Sequence, residues 1–189
     1  MGTAIEPMPR IGVVLAGGLS SRMGRDKAML PWHGRPLIEH QIATLHAAGV
    51  VTVHVSGERP DYHGIADSIV HAGPLGGIAG IAAACADAEL LIVPVDMPRL
   101  QPALLQRLLT TATPAGSTHF AGHVLPMRLR LDAHCRAALI ELMAADNERD
   151  RSLRALQERV SVSALALQAS EETQLVDCNT EQTWREVCE

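Results

Sequence analysis

The chain has 189 residues, 47% hydrophobic and 20% charged, with a formal net charge of −5. That length supports one domain with a full core of its own, and that composition excludes wholesale disorder. The acidic balance and the scarcity of rings (Trp32, Tyr62, Phe120 and Trp184) exclude a nucleic-acid binder, which needs a basic face or a base-stacking platform.

Positions 1–10 carry no apolar stretch of the secretory kind, and Glu6 stands where a myristoylation signal has Ser or Thr. They read as a flexible N-terminal tail, with 11–189 as a single domain. Ile11–Ala16 is a short apolar run ended by Gly17 and Gly18, which predicts a buried strand. Pro36–Ala48 places Leu37, Ile38, Ile42 and Leu45 on one helical face, with Gly49 as its stop. Val50–Ser56 is β-branched and strand-like. Gly77–Ala88 predicts a small-residue helix, Glu89–Val95 the most apolar strand, and Pro102–Thr111 another helix. Ser117–Phe120 and His123–Leu129 read as two strands around Gly122, an antiparallel addition. Ala133–Ala145 and Asp150–Arg159 predict helices, Val160–Leu167 and Leu175–Cys178 short strands, and Thr180–Val187 a closing helix.

Short apolar strands alternating with helices predict a three-layer α/β architecture, a mostly parallel sheet with helices on both faces. The longest apolar run, Leu90–Val95, is far short of the ~20 residues that span a bilayer. Cys85, Cys135, Cys178 and Cys188 are widely spaced, with no zinc-like cadence, so the reading is four free thiols in a reducing cytoplasm.

In an open parallel sheet, ligands sit beyond the carboxyl ends of the strands. The segment after the first strand, Leu15–Lys27, reads LAGGLSSRMGRDK. Gly17, Gly18 and Gly24 let backbone N–H groups face an anion, while Arg22 and Lys27 add a planar fork and a point charge suited to polyphosphate. No G-K-[ST] closes it and no G-x-G-x-x-G opens it, so it is neither a P-loop nor a dinucleotide fingerprint. A strand-to-helix turn with solvated charges stays open as the alternative. Asp96 ends the most apolar strand, where a lone carboxylate is costly unless it is partnered or metal-bound. Gly73-Pro74-Leu75-Gly76-Gly77 offers open backbone before a helix, for a base or phosphate contact or for close packing.

The runs LAGGLSSRMGRDKAML, GRPLIEH, GPLGGI (Gly73–Ile78), VPVDMP (Val93–Pro98) and CNTEQTW resemble the molybdenum cofactor guanylyltransferases. LAGG with R-M-G-x-D-K sets that branch apart from the molybdopterin cytidylyltransferases, which usually read LAAG. The resemblance implies a Rossmann-like nucleotidyltransferase fold. It implies transfer of GMP from GTP to the terminal phosphate of molybdopterin, with Mg2+ held by Asp96 against the α-phosphate. Arg22 and Lys27 would hold the outer phosphates. Leu15, Ala16, Gly17, Gly18, Gly73, Pro74 and Leu75 would line the nucleotide pocket, and Asn179 would reach the metal or the second substrate. Transient docking to molybdoenzymes or cofactor-synthesis proteins is implied as well.

The chain departs from that pattern at three places. It has His54-Val55-Ser56 where relatives carry S-A-N or N-A-N, and His71 where they carry an acid before G-P-L. It also has Asp177-Cys178-Asn179-Thr180 where they carry N-x-N-T. His54 and His71 are therefore read as replacement ribose or base contacts. Cytidylyl transfer and a GTP-binding module without turnover are the competing readings.

Overall fold

The computed structural model describes residues 8–17, 25–67, 69, 72–145, 147 and 150–188. Strand β1 (Arg10–Leu15) is buried from Gly12 onward. It starts inside the stretch read as a tail, and the Pro9 carbonyl already accepts from the Glu89 amide at 2.9 Å. A minimal hairpin follows, β2 (Pro31–Trp32) and β3 (Arg35–Pro36), turning through His33 and Gly34 at φ 47° and 82°. Positive φ at both central residues is the twist a two-residue hairpin needs, but two-residue strands show no periodicity to predict them from.

Helix α1 (Leu37–Ala47) leads to β4 (Thr52–Ser56). Helix α2 is Gly73–Ala84 rather than 77–88: Pro74 sits at its first turn, where a missing N–H costs nothing, so the glycines belong to the helix start. Strand β5 (Ala88–Pro94) is apolar throughout its centre, with Leu90, Leu91, Ile92 and Val93 at 0% exposure, as a strand covered on both faces must be. Then come α3 (Pro102–Thr110), β6 (Ser117–Phe120), β7 (Met127–Leu131), α4 (Ala133–Met143), α5 (Leu153–Arg159), β8 (Val162–Leu165) and α6 (Glu181–Cys188). The Asp132 and Ser152 side chains cap α4 and α5 by accepting from backbone amides three residues on.

The main sheet runs β4-β1-β5-β7-β6-β8. Strands β4, β1 and β5 pair in parallel, as do β6 and β8, while β7 runs antiparallel to both its neighbours. The short connection through Gly122 allows β6 and β7 to meet only antiparallel. One core lies on the α1, α3 and α6 face, built on Val14, Leu91, Leu105 and Trp184. The other lies on the α2, α4 and α5 face, built on Val13, Ile92, Leu129 and Leu156. The expected three layers are present.

Leu175–Cys178 is not a strand. A 3-10 turn covers Glu172–Leu175, and the extended residues after it make one backbone bond, from the Cys178 amide to the Asp96 carbonyl at 2.8 Å. No helix among the described residues is long and apolar enough to cross a membrane, and the four cysteines form no disulfide.

Candidate functional site

Because α1 and α2 cover opposite faces of the sheet, the loops after β1, β4 and β5 part over a common crevice. A cavity of about 680 Å³ opens there. Its walls are Leu15–Gly17 and Asp26–Ala28, Ser56 with Arg59 and Asp67, Gly73 and Pro74, and Pro94–Met97. The β6–β7 connection (Gly122–Leu125), Leu175–Asp177 and Thr183 close the far side.

Its floor is built around Lys27. The ammonium donates to Asn179 Oδ1 at 2.6 Å and to Asp96 Oδ2 at 3.2 Å. The Lys27 and Asp96 side chains are only 15% and 18% exposed, so the pair is poorly screened by solvent. Each member is held by backbone. Lys27 opens a 3-10 turn whose cap is Asp26, accepting from the Ala28 amide at 3.1 Å. Asp96 follows β5 directly, and the Cys178 amide that bonds its carbonyl delivers Asn179 to the same point. From α1, Gln41 Nε2 donates to the Met97 carbonyl at 2.7 Å and His40 Nε2 to the Pro98 carbonyl at 2.9 Å. Burial holds His40 below the usual imidazole value. The turn after the acid is thus tied to the helix beneath it.

The wall beyond β4 differs. Arg59 donates to the Ala16 carbonyl and to both oxygens of Asp26. That guanidinium holds the Asp26 carboxyl below its ordinary value. Asp67 is the reverse case: its buried Oδ1 has no hydrogen-bond partner among the described residues. Burial first, and the Glu58 charge second, push its carboxyl above the ordinary value.

Of the residues singled out from the sequence, Leu15, Ala16, Gly17, Lys27, Gly73, Pro74 and Asp96 line the cavity. Asn179 joins them through Lys27. Gly18, Arg22 and His71 lie outside the described residues. Two expectations need correction. His54 does not line the cavity, because it pairs with Val13 within the sheet and Ser56, at the strand's end, is the residue that reaches the opening. Leu75 is 1% exposed and belongs to the core under α2, since Gly73 and Pro74 already sit in the helix and turn the next side chain inward. The acid before G-P-L is also present after all. It is Asp67, six residues before Gly73, and Gly17 is close enough that a Cβ there would lie 3.2 Å from Asp67 Oδ1. Sequence reading missed Ser56, Arg59 and Asp67; the usable signal was an acid a few positions further upstream than His71.

Residues 12–164 match the family model of the MobA-like NTP transferase domain. The chain belongs to that family. It is 53% identical over 181 residues to the molybdenum cofactor guanylyltransferase of Xanthomonas euvesicatoria pv. vesicatoria, covering 93% of each chain. The molybdenum cofactor guanylyltransferase of Pseudomonas fluorescens (strain Pf0-1) is 32% identical over 154 residues, covering 76% of this chain and 72% of the relative. Among solved structures, the fold resembles molybdopterin-guanine dinucleotide biosynthesis protein A of Archaeoglobus fulgidus, with a TM-score of 0.73 at 16% identity over 94% of this chain and 96% of that one. It also resembles Rv0371C of Mycobacterium tuberculosis in complex with manganese, with a TM-score of 0.64 at 18% identity over 95% and 98%. For a MobA-like transferase, a crevice beyond the parallel strands is where a nucleotide is expected.

Proposed function

We propose that the chain transfers GMP from GTP to the terminal phosphate of molybdopterin, forming the guanine dinucleotide cofactor and releasing pyrophosphate. One observation carries the reading: Lys27, Asp96 and Asn179 converge on a single point in the crevice of a chain 53% identical to a molybdenum cofactor guanylyltransferase. A terminal phosphate oxygen of the pterin attacks the α-phosphorus of GTP, a P–O bond forms, and the bond to the β-phosphate oxygen breaks. The nucleophile is ionised at neutral pH, so no general base is needed. Catalysis then rests on positioning and charge.

Lys27 supplies fixed positive charge where the outer phosphates pass, in a site too enclosed for water to screen it fully. Leu15–Gly17 and Gly73 present backbone to the nucleotide. Asp67 repels phosphate, so its unpartnered oxygen fits a donor on the nucleoside, a ribose hydroxyl or the ring N–H of guanine. The lower wall of Gly122–Leu125 and Asp177 is left for the pterin.

Asp96 and Asn179 give one carboxylate and one amide oxygen, and no group of three or more His, Cys, Asp or Glu among the described residues could cage a metal alone. That donor set fits Mg2+, which keeps water and phosphate oxygens as its remaining ligands; Mn2+ accepts the same donors. Bound there, the ion would offset phosphate charge. Four unpaired thiols suit a reducing cytoplasm, and residues 11–189 are proposed to work as one domain. Handing the product to a molybdoenzyme calls for transient docking to it or to another protein of cofactor synthesis.

The test is pyrophosphate release from the purified chain with Mg2+ and molybdopterin, comparing GTP, CTP and ATP. Release with GTP well above the other two is expected. Preference for CTP, or GTP binding without any release, would overturn the reading.

A further inference from the structure

We propose that Arg59 is a positioning residue: it fastens together the two ends of the Gly17-to-Arg25 segment, and so sets where Lys27 and the Gly17 backbone stand toward the triphosphate. The inference rests on the function proposed above and adds a part to the same site.

The geometry is specific. Ala16 lies before that segment and Asp26 lies after it, and one guanidinium holds both. Arg59 Nη2 donates to the Ala16 carbonyl at 3.0 Å and to Asp26 Oδ1 at 2.8 Å. Nε adds a longer contact to Ala16 O at 3.3 Å, and Nη1 donates to Asp26 Oδ2. A two-toothed hold on a carboxylate plus a carbonyl uses the planar fork of arginine; the single ammonium of lysine has no equivalent. Asp26 also caps the turn that begins at Lys27, so what fixes Asp26 fixes the base of the catalytic lysine.

Arg59 is itself mounted on a stiff support. Its carbonyl accepts from the Tyr62 and Gly64 amides at 3.0 and 2.8 Å, with Pro60 opening the turn between them. Ile65 returns the loop to the edge of β4: its carbonyl accepts from the Gly57 amide and its own amide donates to the Val55 carbonyl, both at 2.8 Å. Gly57 adopts φ +103°, and a Cβ there would lie 2.8 Å from Gly17 Cα. A Cβ on Gly64 would lie 2.4 Å from the Gly57 carbonyl oxygen. The loop that carries Arg59 is therefore packed tightly on itself and, through Gly57, backbone-on-backbone against Ala16 and Gly17.

The alternative for an arginine in a nucleotide cavity is direct contact with phosphate. The electrostatics favour the fastening role. The Arg59 charge is matched by Asp26, whose carboxyl it holds below the ordinary value, and the Arg59 side chain is only 19% exposed. A phosphate would have to displace that carboxylate first.

The two roles separate in a double-mutant cycle on the full chain, reading kcat/KM for GTP, KM for molybdopterin and the thermal midpoint for Arg59→Ala, Asp26→Ala and the double variant. We expect each single variant to lose about 10- to 30-fold in kcat/KM for GTP, and the double variant to lose no more than either, because one device is removed twice. KM for molybdopterin stays at the wild-type value, and Arg59→Lys fails to restore activity. Wild-type activity in Asp26→Ala beside an impaired Arg59→Ala would make Arg59 a phosphate ligand and overturn the proposal. So would additive losses, or wild-type values in both single variants. If Arg59→Ala does not fold, Asp26→Asn reads the same coupling against Arg59→Lys, and losses that multiply there count against it. Turnover of the unaltered chain with GTP tests the parent function separately; the cycle is a ratio to wild type and stands with whichever nucleotide turns over.

Discussion

Two walls of one cavity handle charge in opposite ways. On the Lys27 side the charges are matched: Lys27 with Asp96 and Asn179, and Asp26 with Arg59, which reaches across from the loop after β4. On the Asp67 side a carboxylate oxygen is buried with no partner among the described residues. The carboxyls record the difference, since Arg59 pulls Asp26 below the ordinary value and burial pushes Asp67 above it. A wall whose charges are matched by the protein's own groups is preorganised. An unsatisfied wall is one that a ligand donor would complete, and under the proposed function selection between nucleotides would be strongest there, because a wrong ligand would leave the buried group unpaired.

The largest effects should fall on the satisfied wall. Asp96→Ala and Lys27→Ala are each expected to lower kcat by at least ~100-fold, a loss of ~2.7 kcal/mol of transition-state stabilisation, with folding intact by circular dichroism. Near-wild-type turnover in either would break the contrast, since the preorganised wall would then be idle. Asn179→Ala touches the same ammonium from one side and should cost less, about tenfold in kcat.

On the other wall, Asp67→Asn should act on binding. An increase of about tenfold in KM for GTP, with kcat changed less than threefold, is the expected split. Stability should move the other way. A carboxyl raised in the fold contributes most below its unfolded value of 3.8, and that contribution is lost as the pH climbs through the folded value. At pH 7 an ionised Asp67 therefore costs stability, and Asp67→Asn should raise the melting temperature measured without nucleotide, by about 2 °C. A fall in melting temperature would show that Asp67 is satisfied after all. Asp26 has the opposite sign: its stabilisation is full above 3.8 and fades as the pH drops through its lowered folded value.

The smallest effect tests how firmly Asn179 is delivered. Cys178 is fully buried beside it, and burial, with the Asp96 charge second, pushes its thiol up to about 12. Native protein treated with iodoacetamide at pH 8 should be modified at the exposed Cys188 and not at Cys178. Rapid labelling of Cys178 would mean that the segment carrying Asn179 opens, and the preorganised wall would lose a member.

Much of this was legible along the chain. Ile11–Ala16, Glu89–Val95 and Pro102–Thr111 matched β1, β5 and α3 to within a residue or two, because strands buried on both faces and helices with proline starts advertise themselves locally. Lys27 stood out as a point charge following a glycine-rich stretch, and Asp96 because the end of an apolar strand is an unusual place for a lone carboxylate. By itself the sequence determined the alternation of elements, the place of the glycine-rich segment after β1 and the acid after β5. These depend on neighbours a few positions apart.

Tertiary structure alone decided the rest. Lys27 and Asn179 are 152 positions apart, and the backbone bond between Cys178 and Asp96, with Cys178 and Trp184 buried in the core, makes them neighbours. His54 and Ser56 differ by two residues in one strand, yet only the latter stands at its open end. Asp67 and Arg59 sit in a loop with no periodicity, and their roles follow from which group faces them across the crevice. Hydrogen bonding and desolvation are set by contacts in space, and spacing along a chain does not carry them.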